Sequence, residues 1–216
     1  MDVNQLVASL AIYALPVLFA ITLHEAAHGY VARHFGDMTA FAQGRISLNP
    51  ARHIDLLGTI VVPIAILLLS GGRFLFGWAK PVPVNYSALR RPKQHMAYVA
   101  AAGPAANLSM AIGWGMLLKL AVLLPASGFA VPIRLMAEAG ITVNLLFMFL
   151  NLLPILPLDG GRIVASLLPV RLSIQYARLE PWGLPILILL LATNGLAVIL
   201  DPVSGASDAI IRALVL

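Results

Sequence analysis

The chain has 216 residues, 60% of them hydrophobic and 11% charged, with a mean hydropathy of +0.92 and a formal net charge of +5. Soluble domains carry about 25% charged residues, so a water-soluble globule is excluded, and this much apolar surface excludes a disordered chain. In a membrane protein a basic excess collects in cytoplasmic loops, so the charge does not point to nucleic acid; the absence of cysteine rules out disulfides, thiolate metal ligands and a thiol nucleophile.

In chain order, the N-terminal Met-Asp-Val-Asn-Gln has no Lys or Arg ahead of its apolar run, which argues for a retained helix over a signal peptide. A helical pattern runs over 6–35, apolar to Leu23 and polar afterwards, ending near Phe35-Gly36-Asp37. Residues 39–48 (TAFAQGRISL) mix β-formers with polar residues and read as a short strand or hairpin. After the Asn49-Pro50 turn, the apolar run 56–70 is short, carries Pro63, and is followed by Gly71-Gly72 and a second apolar piece at 74–76. Residues 78–95 are polar, basic and proline-punctuated, a surface segment. Helices are expected at about 96–123, 136–156 and 183–200, with a short interfacial helix in 162–180 that keeps its Arg residues in water. Trp78, Trp114 and Trp182 read as interfacial anchors. With no internal repeat and no appended soluble segment, residues 1–216 read as a single integral-membrane domain.

The segment His24-Glu25-Ala26-Ala27-His28 carries the chemistry. Residues four apart share a helix face, so His24 and His28 can grip one zinc ion. Glu25 lies beside the open coordination position, where it can deprotonate a zinc-bound water. At this composition such a motif arises by chance on the order of 0.002 times per chain. Two His and a Glu at the end of an apolar helix are also costly unless they have partners or a task. A catalytic zinc wants a third protein ligand. Asp159 stands out among the downstream candidates, because it sits at the mouth of an apolar run in Asn151-Leu-Leu-Pro154-Ile-Leu-Pro157-Leu-Asp159-Gly160-Gly161. Irregular backbone at membrane depth is tolerated where it lines a cavity. His53 and Asp55, two apart, read as caps of the following segment, and His34 and His95 as solvated loop residues.

These residues resemble a known family, the site-2 proteases, intramembrane zinc metalloproteases of peptidase family M50. The resemblance rests on HEAAH at 24–28, on Asn151 through Gly161, and on Gly103-Pro104-Ala-Ala-Asn107. It extends to Asn49-Pro50-Ala-Arg-His53-Ile-Asp55 and to Phe76-Gly77-Trp78-Ala-Lys80-Pro81-Val82-Pro83-Val84-Asn85. It implies cleavage of a substrate's transmembrane helix in or beside the bilayer, by a short core-only member without a PDZ or CBS domain. His24, His28 and Asp159 match the ligands of one Zn2+ per chain, and Glu25 the catalytic base. Asn107 and Asn151 match positions that hold substrate backbone or the oxyanion. Physically, an Asn amide in an apolar helix serves equally as an oxyanion donor or in an interhelical hydrogen bond.

If every apolar run crossed the membrane once, HEAAH and Asp159 would lie near opposite faces and could not share an ion. A re-entrant hairpin over 56–76 removes the contradiction. It also places all but Lys119, Arg134 and Arg212 of the 14 Lys and Arg on the cytoplasmic side. The expected fold is therefore all-α and polytopic. About four transmembrane helices join the hairpin (56–76) and a small membrane-associated β element at 39–48, which would capture an unwound substrate by edge addition. The expected location is a cell (plasma) membrane, with the active site toward the cytoplasm and a transmembrane-helix protein as substrate. Two rival readings are a zinc transporter, in which His and Asp mark an ion path, and a scaffold that keeps zinc as a staple.

Overall fold

Apolar runs long enough to span a bilayer satisfy their backbone polar groups internally only as helices. The computed structural model, which describes residues 3–62, 65, 77–123 and 128–215, follows that rule. Helix α1 (Val3–His34) leads into the four-residue α2 (Thr39–Ala42). The connection then passes through a 3-10 turn at Pro50–His53, a π-helical turn at Leu56–Val61 and a second 3-10 turn at Tyr86–Ala88. Helices α3 (Pro92–Leu123) and α4 (Ala130–Asn151) follow, then α5 (Asp159–Leu167), α6 (Val170–Ala177), α7 (Glu180–Ala192) and α8 (Gly195–Val215). Among the described residues α1, α3 and α4 are each long and apolar enough to cross a membrane, and α7 with α8 would make a fourth span if that pair, bent by 76°, counts as one.

Helix α3 is the hub, packing against α1, α4, α5 and α8. Ala111 and Leu118 of α3, Ala137, Ile141 and Leu145 of α4 and Val203 of α8 form one buried cluster. A second cluster, Ala32, Leu89 and Val99 with Phe35, Val84 and Tyr86, ties the end of α1 to the start of α3. Close approach of α3 and α4 depends on Gly140, where a Cβ would fall 2.3 Å from the Trp114 ring. Trp114 is thus a packing residue between helices and not an interfacial anchor, whereas Trp78 and Trp182 are exposed.

Several expected elements come out differently. Residues 39–48 form no strand: Asp37 Oδ1 accepts from the Thr39 N–H at 2.9 Å, α2 winds from there, and Gly44 at φ +61° closes it. The Arg45 N–H then bonds back to Ala40 O at 2.8 Å, a helix ending that needs a left-handed residue. No strand occurs among the described residues, so the edge-addition role has no strand to rest on. The single helix expected in 162–180 is two, α5 and α6, because the residue before Pro169 is barred from helical geometry and Leu168 is extended (φ −68°, ψ 148°). The single helix expected at 183–200 breaks at Asn194, which adopts a left-handed φ of 58°, a conformation Asn tolerates well. The re-entrant hairpin lies largely outside the described residues. Its two flanks are joined, however, since the Arg90 N–H donates to Phe35 O at 3.0 Å and the Asn85 N–H to Asp37 Oδ2 at 2.7 Å. The 36–89 connection therefore returns to where it left α1.

Three glycines allow the 152–158 loop to nest between α5 and α7. A Cβ would fall 2.1 Å from Leu152 O at Gly160, 2.6 Å from Leu156 N at Gly161 and 1.5 Å from Leu156 O at Gly183. Replacing Gly183 with Ala should lower the thermal midpoint of the protein in mild detergent, an overpacking cost of about 1–3 kcal/mol. Gly113→Ala, where a Cβ meets nothing within 4 Å, should leave it unchanged or slightly raised; equal midpoints for the two variants would contradict the nesting of the loop.

Candidate metal centre

The i, i+4 spacing on α1 puts the His24 and His28 rings edge to face, with centroids 4.7 Å apart and planes at 83°. Each ring is oriented through Nδ1: His24 toward Asn107 Oδ1 at 2.6 Å and His28 toward Val99 O at 2.7 Å. A carbonyl oxygen only accepts, so both Nδ1 atoms carry the proton and donate. In the neutral rings both Nε2 atoms then present lone pairs, and these lie only 3.1 Å apart. From the first turn of α5, Asp159 Oδ2 approaches them to 3.2 and 3.4 Å. All three residues are buried, and Asp159 Oδ2 has no hydrogen-bond partner. Three acceptors crowded in this way repel one another unless a cation lies between them. A tetrahedral zinc with ligand bonds of 2.0–2.1 Å needs ligand–ligand edges of about 3.3 Å; the observed edges of 3.1, 3.2 and 3.4 Å fit it. Among the described residues His24, His28 and Asp159 form the one group suited to a metal ion.

Helix α3 forms the wall behind this triangle. At Gly103 a Cβ would fall 2.5 Å from His24 Cε1 and from His28 Nε2. One turn further along, Asn107 is fully buried and its two amide hydrogens are both spent, on Ala20 O at 3.2 Å and Asn144 Oδ1 at 3.0 Å. Asn144 in turn donates to Gly140 O at 2.8 Å, so the network runs from the His24 ring through α3 into α4. Of the two roles open to Asn107, this geometry is the interhelical hydrogen bond. Asn151 donates to Phe147 O in its own helix at 3.0 Å and is not brought into the cluster.

Glu25 follows His24 on α1, and its Oε2 accepts from the Val82 N–H at 2.7 Å. The extended segment 77–85 thus lies against α1 beside the metal group, and Gly29 makes room for it: a Cβ there would come within 2.9 Å of Ile46 Cγ1 and 3.2 Å of Val82 Cγ1. His53 is buried with Nε2 on Ser47 O at 2.8 Å, and Asp55 caps the π-helical turn by accepting from the Gly58 N–H at 2.6 Å. His95 is helical and not in a loop, because α3 starts earlier than its pattern suggests, whereas His34 is exposed in the last turn of α1. His95 stacks on Phe35 with centroids 4.1 Å apart.

Four contributors escape a reading of the sequence. The Val99 carbonyl and the Val82 N–H are backbone groups, which composition does not reveal. Gly103 and Asn144 left signals, a glycine one turn before Asn107 on α3 and a second Asn in an apolar helix, but neither indicates its partner without the packing.

Residues 124–193 match the profile of Peptidase family M50. The chain is 36% identical over 206 residues to "Putative zinc metalloprotease YwhC" of Bacillus subtilis (strain 168), covering 92% of this chain and 88% of that protein. It is 30% identical over 183 residues to the likewise named Rip2 of Mycolicibacterium smegmatis, covering 83% of this chain and 66% of Rip2. To Rip2 of Mycobacterium tuberculosis (strain H37Rv) it is 33% identical over 147 residues, covering 66% of this chain and 52% of Rip2. No solved structure matches it.

Two variants test the wall behind the triangle through metal content alone. Gly103→Ala should purify with little zinc, since the added methyl occupies the space of both rings. Asn107→Ala, which frees the His24 ring, should weaken zinc binding by about 10- to 100-fold in chelator competition. Wild-type zinc affinity in both would refute the part assigned to α3.

Proposed function

Because the chain belongs to peptidase family M50, we propose that it hydrolyses peptide bonds in or beside the transmembrane helices of other membrane proteins, with Glu25 as the base. It is a zinc metalloprotease and a multi-pass membrane protein. The observation that carries the reading is the buried triangle of His24, His28 and Asp159, sized for one zinc, with Glu25 next in sequence to the first ligand. Zinc bound there acts as a Lewis acid and brings the pKa of a water toward ~7.

The chain's own residues supply the rest. Glu25 takes a proton from the attacking water and passes it to the leaving nitrogen, the usual double duty of a carboxylate beside a metal. Asn107 and the Val99 carbonyl hold the two rings in the tautomer that turns Nε2 toward the ion, as second partners of metal-bound histidines do. A substrate helix hides its carbonyls in hydrogen bonds and must unwind before attack.

The placement of the site favours a bond near one membrane face. Along α1, at 1.5 Å per residue, His24 lies roughly 32 Å from Val3, about the thickness of the hydrocarbon core. Arg33, Arg45, Arg52, Lys80, Arg90, Arg91 and Lys93 belong to that same end of the molecule. By the positive-inside rule this face is cytoplasmic, in a cell membrane.

Glu25→Gln should retain about one zinc per chain and lose cleavage by at least 100-fold, the lower end of general acid–base contributions. The assay is a fluorophore- and quencher-labelled single-span peptide, with glycines at its centre, reconstituted with the enzyme in liposomes. Asp159→Ala should lose the zinc itself. Cleavage that survives Glu25→Gln would refute the base assignment.

A further inference from the structure

Two prolines bracket the residue whose N–H meets Glu25 from the surface segment. Proline has no N–H, so between Lys80 and Val84 the backbone offers a single donor, Val82, and that donor is spent on Glu25 Oε2 at 2.7 Å. Proline also restricts the backbone of the residue before it to extended conformations, so Pro81-Val82-Pro83 is a short stiff rod.

The rod is pinned on both sides. Upstream, the Trp78 N–H donates to Gly58 O at 2.9 Å and the Lys80 N–H to His53 O at 2.8 Å. Arg45 Nη2 reaches Lys80 O at 2.9 Å and Pro81 O at 3.1 Å. Downstream, the Asn85 N–H is held by the buried carboxylate of Asp37 at 2.7 Å. The Val82 side chain is buried, and it lies against Gly29, one turn after Glu25 on α1. A free Glu side chain samples many rotamers, and ordering it costs conformational entropy. Here that ordering is done by a backbone donor whose own position is fixed from four directions.

We propose that the Pro81-Val82-Pro83 rod is a positioning element for the base: its one N–H holds Glu25 Oε2, so that Oε1 is the oxygen that exchanges the proton. The proposal rests on the reading of Glu25 as base. Val82 acts through Glu25 and is a positioning residue.

Two measurements on the full-length protein test it. In hydrogen exchange read by mass spectrometry, the prolines leave Val82 as the only exchanging amide between residues 80 and 84. That amide should be protected in the wild type and should exchange at least tenfold faster in Glu25→Ala, with the Lys80 and Asn85 anchors unchanged. Equal rates in the two proteins would overturn the proposal. In the labelled-peptide assay, Val82→Pro removes the N–H and Val82→Ala keeps it. Val82→Pro should show a kcat about 10- to 100-fold below that of Val82→Ala, with KM and zinc content alike. Equal kcat values overturn the positioning role. If Val82→Pro does not fold, the exchange comparison, which leaves residue 82 untouched, decides. Cleavage by Glu25→Gln would sink the base reading and this proposal with it. An inactive Glu25→Gln beside matched Val82 variants would sink this proposal alone.

Discussion

Three acceptor atoms, Nε2 of His24, Nε2 of His28 and Oδ2 of Asp159, are buried within 3.1–3.4 Å of one another. The Nδ1 protons of both rings are committed elsewhere, so with the rings neutral these lone pairs face one another with no proton between them. Burial of unpaired polar groups is expensive in any protein, and a bilayer, where water does not compete, makes it more so. A divalent cation turns that cost into a binding energy, and much of the surrounding structure can be understood as the means of holding three like-acting atoms together until it is bound.

Helix α3 does most of that holding. Its glycine at 103 brings backbone against the imidazoles, and its asparagine one turn later bonds a ring on α1 and an amide on α4 at the same time. Small residues and amide side chains are the usual means of bringing helices together in lipid, where the hydrophobic effect gives no preference for one apolar surface over another. In this chain the same residues that join three helices also set the tautomer of a metal ligand, so packing and chemistry are coupled. A loosened α3–α4 contact would be felt at His24.

The connection between α1 and α3 serves the second half of the site. Asp37 and Phe35 at the end of α1 are bonded to Asn85 and Arg90, so the long excursion closes on itself. Closure brings residues 77–85 back along α1 and lays a backbone donor on Glu25. The base and the metal ligands are therefore oriented by different elements, α3 for the histidines and the proline-rich segment for the glutamate. The two can be perturbed separately.

Much of this was legible locally. A 3.6-residue repeat puts His24 and His28 on one face wherever the helix goes, and the apolar run around them requires a helix in a membrane. The family relation was legible in the HEAAH and Asn151–Gly161 motifs for the same reason, since short spacings encode ligand geometry. Local pattern misled at 39–48, where a side-chain carboxylate at Asp37 and a left-handed Gly44 outweigh the β-propensity of Thr and Phe. It misled again at 168 and 194, where single residues break what reads as continuous apolar helix.

The sequence by itself determined the donor types, the pair on α1 and the membrane setting, because each follows from spacing or composition over a few turns. The tertiary structure brought Asp159, already singled out in the sequence, against the two rings; it alone decided that Asn107 orients a ring and has no amide hydrogen left for substrate, and that a backbone N–H from Val82 meets the base. Those contacts join residues far apart in the chain through backbone groups and missing side chains, and neither has a periodicity that a sequence displays.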